Sequence, residues 1–144
     1  MNTGDLSVYL NYIDTFRQNK AIPSRRNLAI ARVAVTLGTG IEATVWAEDW
    51  IAVSGRRTYP GTVPLPHAPQ FETFDVPPGH DRRFDTEVKL LEAIASRCTP
   101  ESTGLVDLVT ERSPCPSCAS VIQQFRERFP GIQLVVTDSQ GRIF

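Results

Sequence analysis

The pattern of hydrophobic and polar positions predicts three helices and four strands. Apolar residues recur at helical spacing in three segments, while β-branched and other apolar residues cluster in four shorter ones. Asp5 is expected to cap the first helix, and Gly38-Thr39-Gly40 indicates a hairpin between the first two strands. The predicted helices cover residues 5–20, 86–97 and 115–129, and the predicted strands cover residues 28–37, 43–53, 104–110 and 132–137.

This order, α-β-β-α-β-α-β, is typical of a layered α/β domain. A helix separates the last two strands, which favours their parallel pairing. Residues 56–80 contain six prolines and little periodicity, so we interpret them as a long ordered loop of a kind that often carries function. Trp46 and Trp50 are expected in the core, on one face of the second strand. Ile143-Phe144 is expected to make at most a short edge pairing.

Composition and charge are those of an ordinary globular domain. The chain is long enough to bury a sizeable core, and we expect residues 1–144 to form a single domain. No apolar run approaches the roughly 20 residues that span a bilayer, and the first residues lack the features of a secretory signal. We expect neither a membrane partner nor an oligomer. The net charge of −1 gives no overall attraction to nucleic acid, so such binding requires a local basic face.

Candidate chemistry is concentrated in two short motifs. Asp85-Thr86-Glu87 precedes the second helix and Pro114-Cys115-Pro116-Ser117-Cys118 precedes the third, so both can converge at one edge of the sheet. Cys115 and Cys118 are one helical turn apart and can bind one ion. Two thiolates and one further ligand leave a fourth tetrahedral position for water, which is typical of catalytic zinc sites. Glu87 would then lie beside that water as a proton carrier.

Other interpretations of the Cys-x-x-Cys motif remain open. It also occurs in redox pairs, which usually follow the first strand of their fold, whereas this pair follows the third predicted strand. It also occurs in structural zinc sites, which need four ligands, but Cys98, His67 and His80 have no paired spacing. Cys98 is expected to be a buried apolar residue. The combination of Asp-x-Glu, a strand and Pro-Cys-x-x-Cys favours a hydrolytic site.

Residues 85–136 resemble the zinc-dependent nucleobase deaminases, whose signature is His-x-Glu followed by Pro-Cys-x-x-Cys. More narrowly, they resemble the deaminase domains of bacterial polymorphic toxins. The resemblance implies a three-layer cytidine-deaminase-like α/β fold, with a central mixed sheet of four to five strands flanked by helices. It also implies that Glu87 moves protons, that Cys115 and Cys118 bind Zn²⁺, and that Ser113-Pro114 lines the base pocket.

The chain departs from the usual signature at Asp85, which stands where a histidine is normally found. A carboxylate is an acceptable zinc ligand, but three anionic ligands around a dication leave one net negative charge. This charge weakens the activation of water. We therefore expect at least one of Arg82, Arg83 and Arg112 to offset it. Neutralising each in turn without any change in the pH–rate profile would contradict that expectation.

The resemblance implies cytosine deamination in the DNA of a rival cell, and we favour single-stranded over double-stranded DNA. It also implies a toxin domain at the C-terminus of a larger protein, delivered to the cytoplasm of a target cell and blocked by a cognate immunity protein. RNA, a free cytidine or nucleotide, and a non-catalytic zinc-binding interaction module remain alternatives. Three arginine pairs, including Arg25-Arg26, offer cations for phosphate. The candidate substrate-binding residues are Ser113, Pro114, Arg82, Arg83, His80, Phe84, Arg56 and Arg57.

Overall fold

The computed structural model describes residues 3–144 and confirms the predicted order of helices and strands. The first helix begins at Thr3, so Asp5 lies in its first turn, and the prediction that Asp5 caps this helix is wrong. A single turn of 3-10 helix, Gly40–Glu42, connects the first two strands. The elements are α1 (Thr3–Asn19), β1 (Leu28–Leu37), β2 (Thr44–Val53), α2 (Thr86–Ala95), β3 (Thr103–Thr110), α3 (Pro116–Arg128) and β4 (Ile132–Asp138).

The four strands form one mixed sheet in the order β2-β1-β3-β4. β1 is antiparallel to β2 and to β3, whereas β3 and β4 are parallel, as the intervening helix predicts. Beyond β4, Ile143 makes one isolated antiparallel bridge with Thr137. The expectation of a short edge pairing at the C-terminus is therefore confirmed.

Helices cover both faces of the sheet and produce the expected three-layer α/β fold. Successive residues of β1 alternate between the two faces, because side chains of a strand point in opposite directions. Ala31, Val33 and Val35 pack in the core formed with α2 and α3. Leu28 and Ile30 pack in the core formed with α1. None of the helices in the described part of the chain is long and apolar enough to cross a membrane.

The second strand brings its two tryptophans into the larger core. Trp46 is buried and Trp50 is half-buried against the same cluster. Their ring centroids are 5.1 Å apart in an edge-to-face arrangement, and the Arg97 guanidinium lies over both rings. Cys98, half-buried, packs against this cluster as well. The predicted core positions of the tryptophans are therefore confirmed.

The proline-rich segment is an ordered loop that packs against α2 and α3. The Glu92 carboxylate accepts hydrogen bonds from the backbone N–H groups of Gln70 and Phe71, at 2.8 Å and 3.0 Å. The Ser117 hydroxyl accepts one from the N–H of Phe74, at 3.0 Å. The loop packs against α2 through Glu92, and every residue of that helix is buried. The helix therefore buries Glu87, Lys89 and Glu92 in addition to its apolar face.

Candidate active site

The two predicted motifs meet at the N-termini of α2 and α3. Asp85 is the N-cap residue of α2, Cys115 is the N-cap residue of α3, and Cys118 lies in the first turn of α3. Oδ2 of Asp85 lies 3.2 Å from Sγ of Cys118 and 3.7 Å from Sγ of Cys115. One ligand atom from each residue lies within 4.8 Å of the other two. These three side chains form the ligand group, which can hold a metal ion.

Local sequence explains why these side chains face one another. Pro116 occupies the first turn of α3, where its missing N–H is not needed and its fixed φ favours the helix. Among residues 3–144, neither Asp85 nor Cys115 uses its side chain to cap its own helix. Both side chains are therefore available to a common ligand, at helix ends whose dipoles stabilise negative charge.

The protonation of the two thiols fits a metal site. A hydrogen bond from the Cys118 thiol lowers the pKa of Cys115 to about 6. The same interaction and burial raise the pKa of Cys118. The lowered pKa of Cys115 favours its thiolate, which is the form of cysteine that binds metals.

Glu87 lies beside the ligand group and is almost completely buried. Burial raises the pKa of its carboxyl group, because the charged form is poorly solvated there. The hydroxyl of Thr86 donates a hydrogen bond to Oε2 of Glu87 at 3.1 Å. A buried carboxyl group next to a metal-binding group is suited to accept and release protons.

Glu87 lines a small cavity that opens into a broad groove. The cavity measures about 100 Å³ and is much smaller than the adjoining groove. The adjoining groove measures about 630 Å³ and shares Ser54, Arg82, Asp85 and Arg112 with the cavity.

Arginines give the groove a positive lining, although the net charge of the chain is −1. The guanidinium of Arg56 lies 4.8 Å from the ring centroid of Phe84, and its side chain is largely exposed. Arg82 lies nearest to the ligand group, with Nη1 at 3.7 Å from Oδ2 of Asp85. Arg112 instead donates to backbone carbonyls of the segment that precedes β1. The arginines that line the groove are Arg25, Arg26, Arg56, Arg57, Arg82 and Arg112.

Two predicted substrate contacts lie outside the cavity and groove. Arg83 is held by Asp81 in a close ion pair, at 2.7 Å, which lowers the pKa of that aspartate to about 2. Its guanidinium also lies 5.6 Å from the ring centroid of Phe84, the same ring that Arg56 contacts. His80 is exposed in the turn that includes Pro77. Neither Arg83 nor His80 lines the cavity or the groove.

Of the predicted pair Ser113-Pro114, Ser113 lines the cavity and Pro114 does not, and Ser113 is held there by the C-terminal segment. Its hydroxyl donates to Oδ2 of Asp138 at 2.7 Å and accepts from Arg142 at 2.9 Å. Arg142 also pairs with Asp138 at 2.7 Å. Pro114, half-buried, follows directly and leads into the first turn of α3. The short segment beyond β4 therefore fixes one wall of the cavity.

The polar residues connected by hydrogen bonds to Thr86, which in turn donates to Glu87, were not identified from the sequence. Asn27, just before β1, contacts Thr86 and Thr110, and its backbone pairs with Ser54 just after β2. Asn27 and Ser54 also line the cavity. These residues have no motif spacing, because strand pairing alone brings them together. The only sequence feature that could have indicated Asn27 was its position as a polar residue directly before a strongly apolar strand.

Comparison with known proteins identifies the family. A sequence model of the BURPS668_1122 family of deaminases, designated Toxin-deaminase, matches residues 65–140. This range is more than half of the chain and contains Asp85, Glu87 and both cysteines of the ligand group. A search of curated proteins found no match. With its mixed sheet, its Asp-Cys-Cys ligand group and this match, the chain belongs to the BURPS668_1122 family of toxin deaminases.

Proposed function

We propose that this domain is a zinc-dependent hydrolytic deaminase that converts cytosine to uracil in DNA, with single-stranded DNA favoured over double-stranded DNA. One observation carries the proposal. A small cavity holds Glu87 and part of the ligand group, and it opens into a groove lined by arginines. The base of one nucleotide can enter the cavity while the phosphates of its strand remain in the groove.

Asp85, Cys115 and Cys118 are the proposed ligands of Zn²⁺, which accepts both sulfur and carboxylate oxygen. Bound zinc supplies a Lewis acid that makes water a nucleophile at neutral pH. Glu87 is the proposed acid–base residue: it accepts a proton from the attacking water and passes it to the ring nitrogen. Glu87 then takes the proton of the new hydroxyl on the amine-bearing carbon and delivers it to the amine. The C–N bond breaks as the C=O bond forms, so that cytosine and water yield uracil and ammonia. Proton transfer by a positioned carboxylate contributes typically about 10²–10⁴-fold to the rate.

A polymeric substrate agrees best with the groove. A nucleoside needs no cations beyond the cavity, whereas a nucleic-acid strand presents a phosphate at every nucleotide. Arg56 and Arg57 are exposed on one wall of the groove, and Arg25 is exposed on another. A base that is already unstacked enters such a cavity at lower energetic cost than a paired base. These considerations favour a single strand.

A matched set of oligonucleotides tests the proposed function. Single- and double-stranded DNA, each with one cytosine in every flanking context, is incubated with zinc-loaded protein, and uracil is detected by glycosylase cleavage. Glu87→Gln is the control, because it preserves the shape of the side chain and should retain zinc. We expect uracil from the wild type only, and activity that falls steeply with salt concentration. Absence of uracil from folded, zinc-loaded wild type would refute the DNA proposal.

The alternatives give different outcomes in the same experiment. RNA oligonucleotides and free cytidine are tested in parallel, and activity on cytidine should respond little to salt. A non-catalytic zinc-binding module would show no turnover on any of these substrates. Its binding to a partner would also tolerate Glu87→Gln, since that function requires no proton carrier.

The proposed biological setting follows from the family. A DNA-mutating domain harms the cell that makes it, so we propose that a cognate immunity protein blocks the groove. We also propose that this single domain is the C-terminal part of a larger protein, acts as a monomer and is delivered into the cytoplasm of a rival cell. Co-expression tests the first point: a protein encoded beside the toxin should suppress uracil formation at stoichiometric amounts. Failure of every neighbouring product to inhibit would contradict it.

A further inference from the structure

Asn27 joins its own segment before β1 to three others near the candidate active site: the residue after β2, the start of α2 and the end of β3. It is buried just before β1, and its backbone N–H donates to the Ser54 hydroxyl at 2.8 Å. Its carboxamide contacts the hydroxyls of Thr86 and Thr110 and the backbone of Arg112. Thr86 and Thr110 are completely buried, so water does not compete for these hydrogen bonds.

The direction of each hydrogen bond around Asn27 is determined by one backbone group. The N–H of Arg112 lies 3.2 Å from Oδ1 of Asn27 and can only donate. Oδ1 must therefore face Arg112, and Nδ2 must face the two threonines. Nδ2 donates one proton to Thr86 at 2.8 Å and its other proton to Thr110 at 2.9 Å.

Each threonine hydroxyl therefore accepts a hydrogen bond from Asn27, so it must donate its own proton to a different acceptor. The proton of Thr86 goes to Oε2 of Glu87, at 3.1 Å. The proton of Thr110 goes to the carbonyl oxygen of Arg112, at 3.1 Å. Asn27 thus imposes a single direction on a chain of hydrogen bonds that ends at Glu87.

We propose that Asn27 and Thr86 are positioning residues for the acid–base chemistry of Glu87, an inference that rests on the proposed deaminase function. Thr86 holds one oxygen of the Glu87 carboxylate, so the carboxylate keeps one orientation in the cavity while it receives and delivers protons. Asn27 keeps Thr86 in the donating state. Neither residue needs to touch the substrate base for this role.

Substitutions at Thr86 separate positioning from structural support. Thr86→Val keeps the side-chain shape but removes the donor to Glu87, whereas Thr86→Ser keeps the hydroxyl. Thr137→Val is the matched control, since Thr137 is also buried but its hydroxyl has no hydrogen-bond partner within residues 3–144. Each variant is loaded with zinc, checked for metal content and melting temperature, and assayed on single-stranded DNA for kcat and KM separately.

We expect Thr86→Val to lower kcat by about 10- to 100-fold with KM nearly unchanged, as for loss of a hydrogen bond to a charged group. Thr86→Ser should recover most of kcat, and Thr137→Val should leave it unchanged. Asn27→Asp provides a second test, because its carboxylate accepts from the Thr86 hydroxyl and turns that proton away from Glu87. Its kcat should fall in the same range.

Two results would overturn the inference while the function stands. One is a Thr86→Val enzyme whose kcat is within twofold of the wild type. The other is rapid solvent exchange of the Asn27 side-chain amide protons, measured by NMR on active wild type, because buried donors should be protected. A folded, zinc-loaded wild type that forms no uracil would instead refute the proposed function itself, and the positioning role with it.

Discussion

Arg82 lies three residues before Asp85 in the loop that leads into α2, with Nη1 of the arginine 3.7 Å from Oδ2 of the aspartate. This is the same carboxylate oxygen that faces both cysteines of the ligand group. Nε of Arg82 donates to the carbonyl of Val76 at 2.6 Å, which holds the guanidinium in place. Of the three arginines expected to offset the charge of the ligands, the geometry therefore favours Arg82.

Arg82→Gln should lower kcat about tenfold, which corresponds to about 1.4 kcal/mol of transition-state stabilisation. In the proposed reaction, negative charge would grow on the attacking oxygen beside the three proposed ligands, and a partly buried guanidinium would stabilise that charge. Single-turnover kinetics on a saturating oligonucleotide measures the effect. Arg97→Gln is the control, because it removes an equal charge beyond the other end of α2. A salt-dependent rise in KM with kcat unchanged would show that Arg82 binds phosphate instead.

Glu92→Gln should loosen the proline-rich loop. The buried Glu92 carboxylate accepts from the N–H groups of Gln70 and Phe71, and a carboxamide can accept at only one of its two terminal atoms. We expect a loss of about 1–3 kcal/mol in the free energy of unfolding, measured by urea denaturation. Limited proteolysis should cut within residues 65–75 sooner than in wild type. The exposed Glu101→Gln serves as control, and equal cleavage rates for both variants would rule out this anchoring role.

The proposed chemistry could be predicted from sequence because its residues fall into two short motifs. Asp85, Glu87, Cys115 and Cys118 occupy two helix starts, where spacing alone determines which side chains share a face. The order of elements and the parallel pair followed from the hydrophobic pattern. The wrong prediction for Asp5 also came from a local pattern, because an N-cap residue and a first-turn residue are only a few positions apart in sequence.

Tertiary contacts account for what the sequence did not indicate. Asn27 reaches Thr86 and Thr110 only because β1 lies between β2 and β3. Adjacent arginines likewise have different partners: Arg82 faces the ligand group, whereas Arg83 turns to Asp81. No rule of spacing distinguishes two such neighbours in a loop.

Thr137→Val should raise the free energy of unfolding by about 1 kcal/mol. The hydroxyl of Thr137 is buried without a hydrogen-bond partner in the described part of the chain, so valine removes an unsatisfied polar group at nearly constant volume. Thr110→Val offers the opposite case, because the Thr110 hydroxyl both accepts and donates a hydrogen bond. Urea denaturation of the two variants should give shifts of opposite sign. A destabilised Thr137→Val protein would mean that this hydroxyl has a partner in solution.

Lys89 makes stability depend on pH. Its ammonium is buried on α2 and donates to the carbonyl of Val53 at 2.7 Å. Burial, and secondarily the nearby charge of Arg26, lowers the pKa of Lys89 from 10.5 to about 8. Between these two values the unfolded chain binds more protons than the folded one. The free energy of unfolding should therefore rise as the pH increases from about 8 to about 10.5, by at most about 3 kcal/mol.

Lys89→Met isolates this contribution, because all other titrating groups, including Tyr9 with its raised pKa, remain in both proteins. Urea denaturation of wild type and variant at several pH values between 7.5 and 10 gives the difference in free energy of unfolding. Relative to the variant, the wild type should gain stability with each step in pH, since the neutral amine is easier to bury than the ammonium. A difference that stays constant across this range would mean that the amine keeps its ordinary pKa and remains charged in the folded protein.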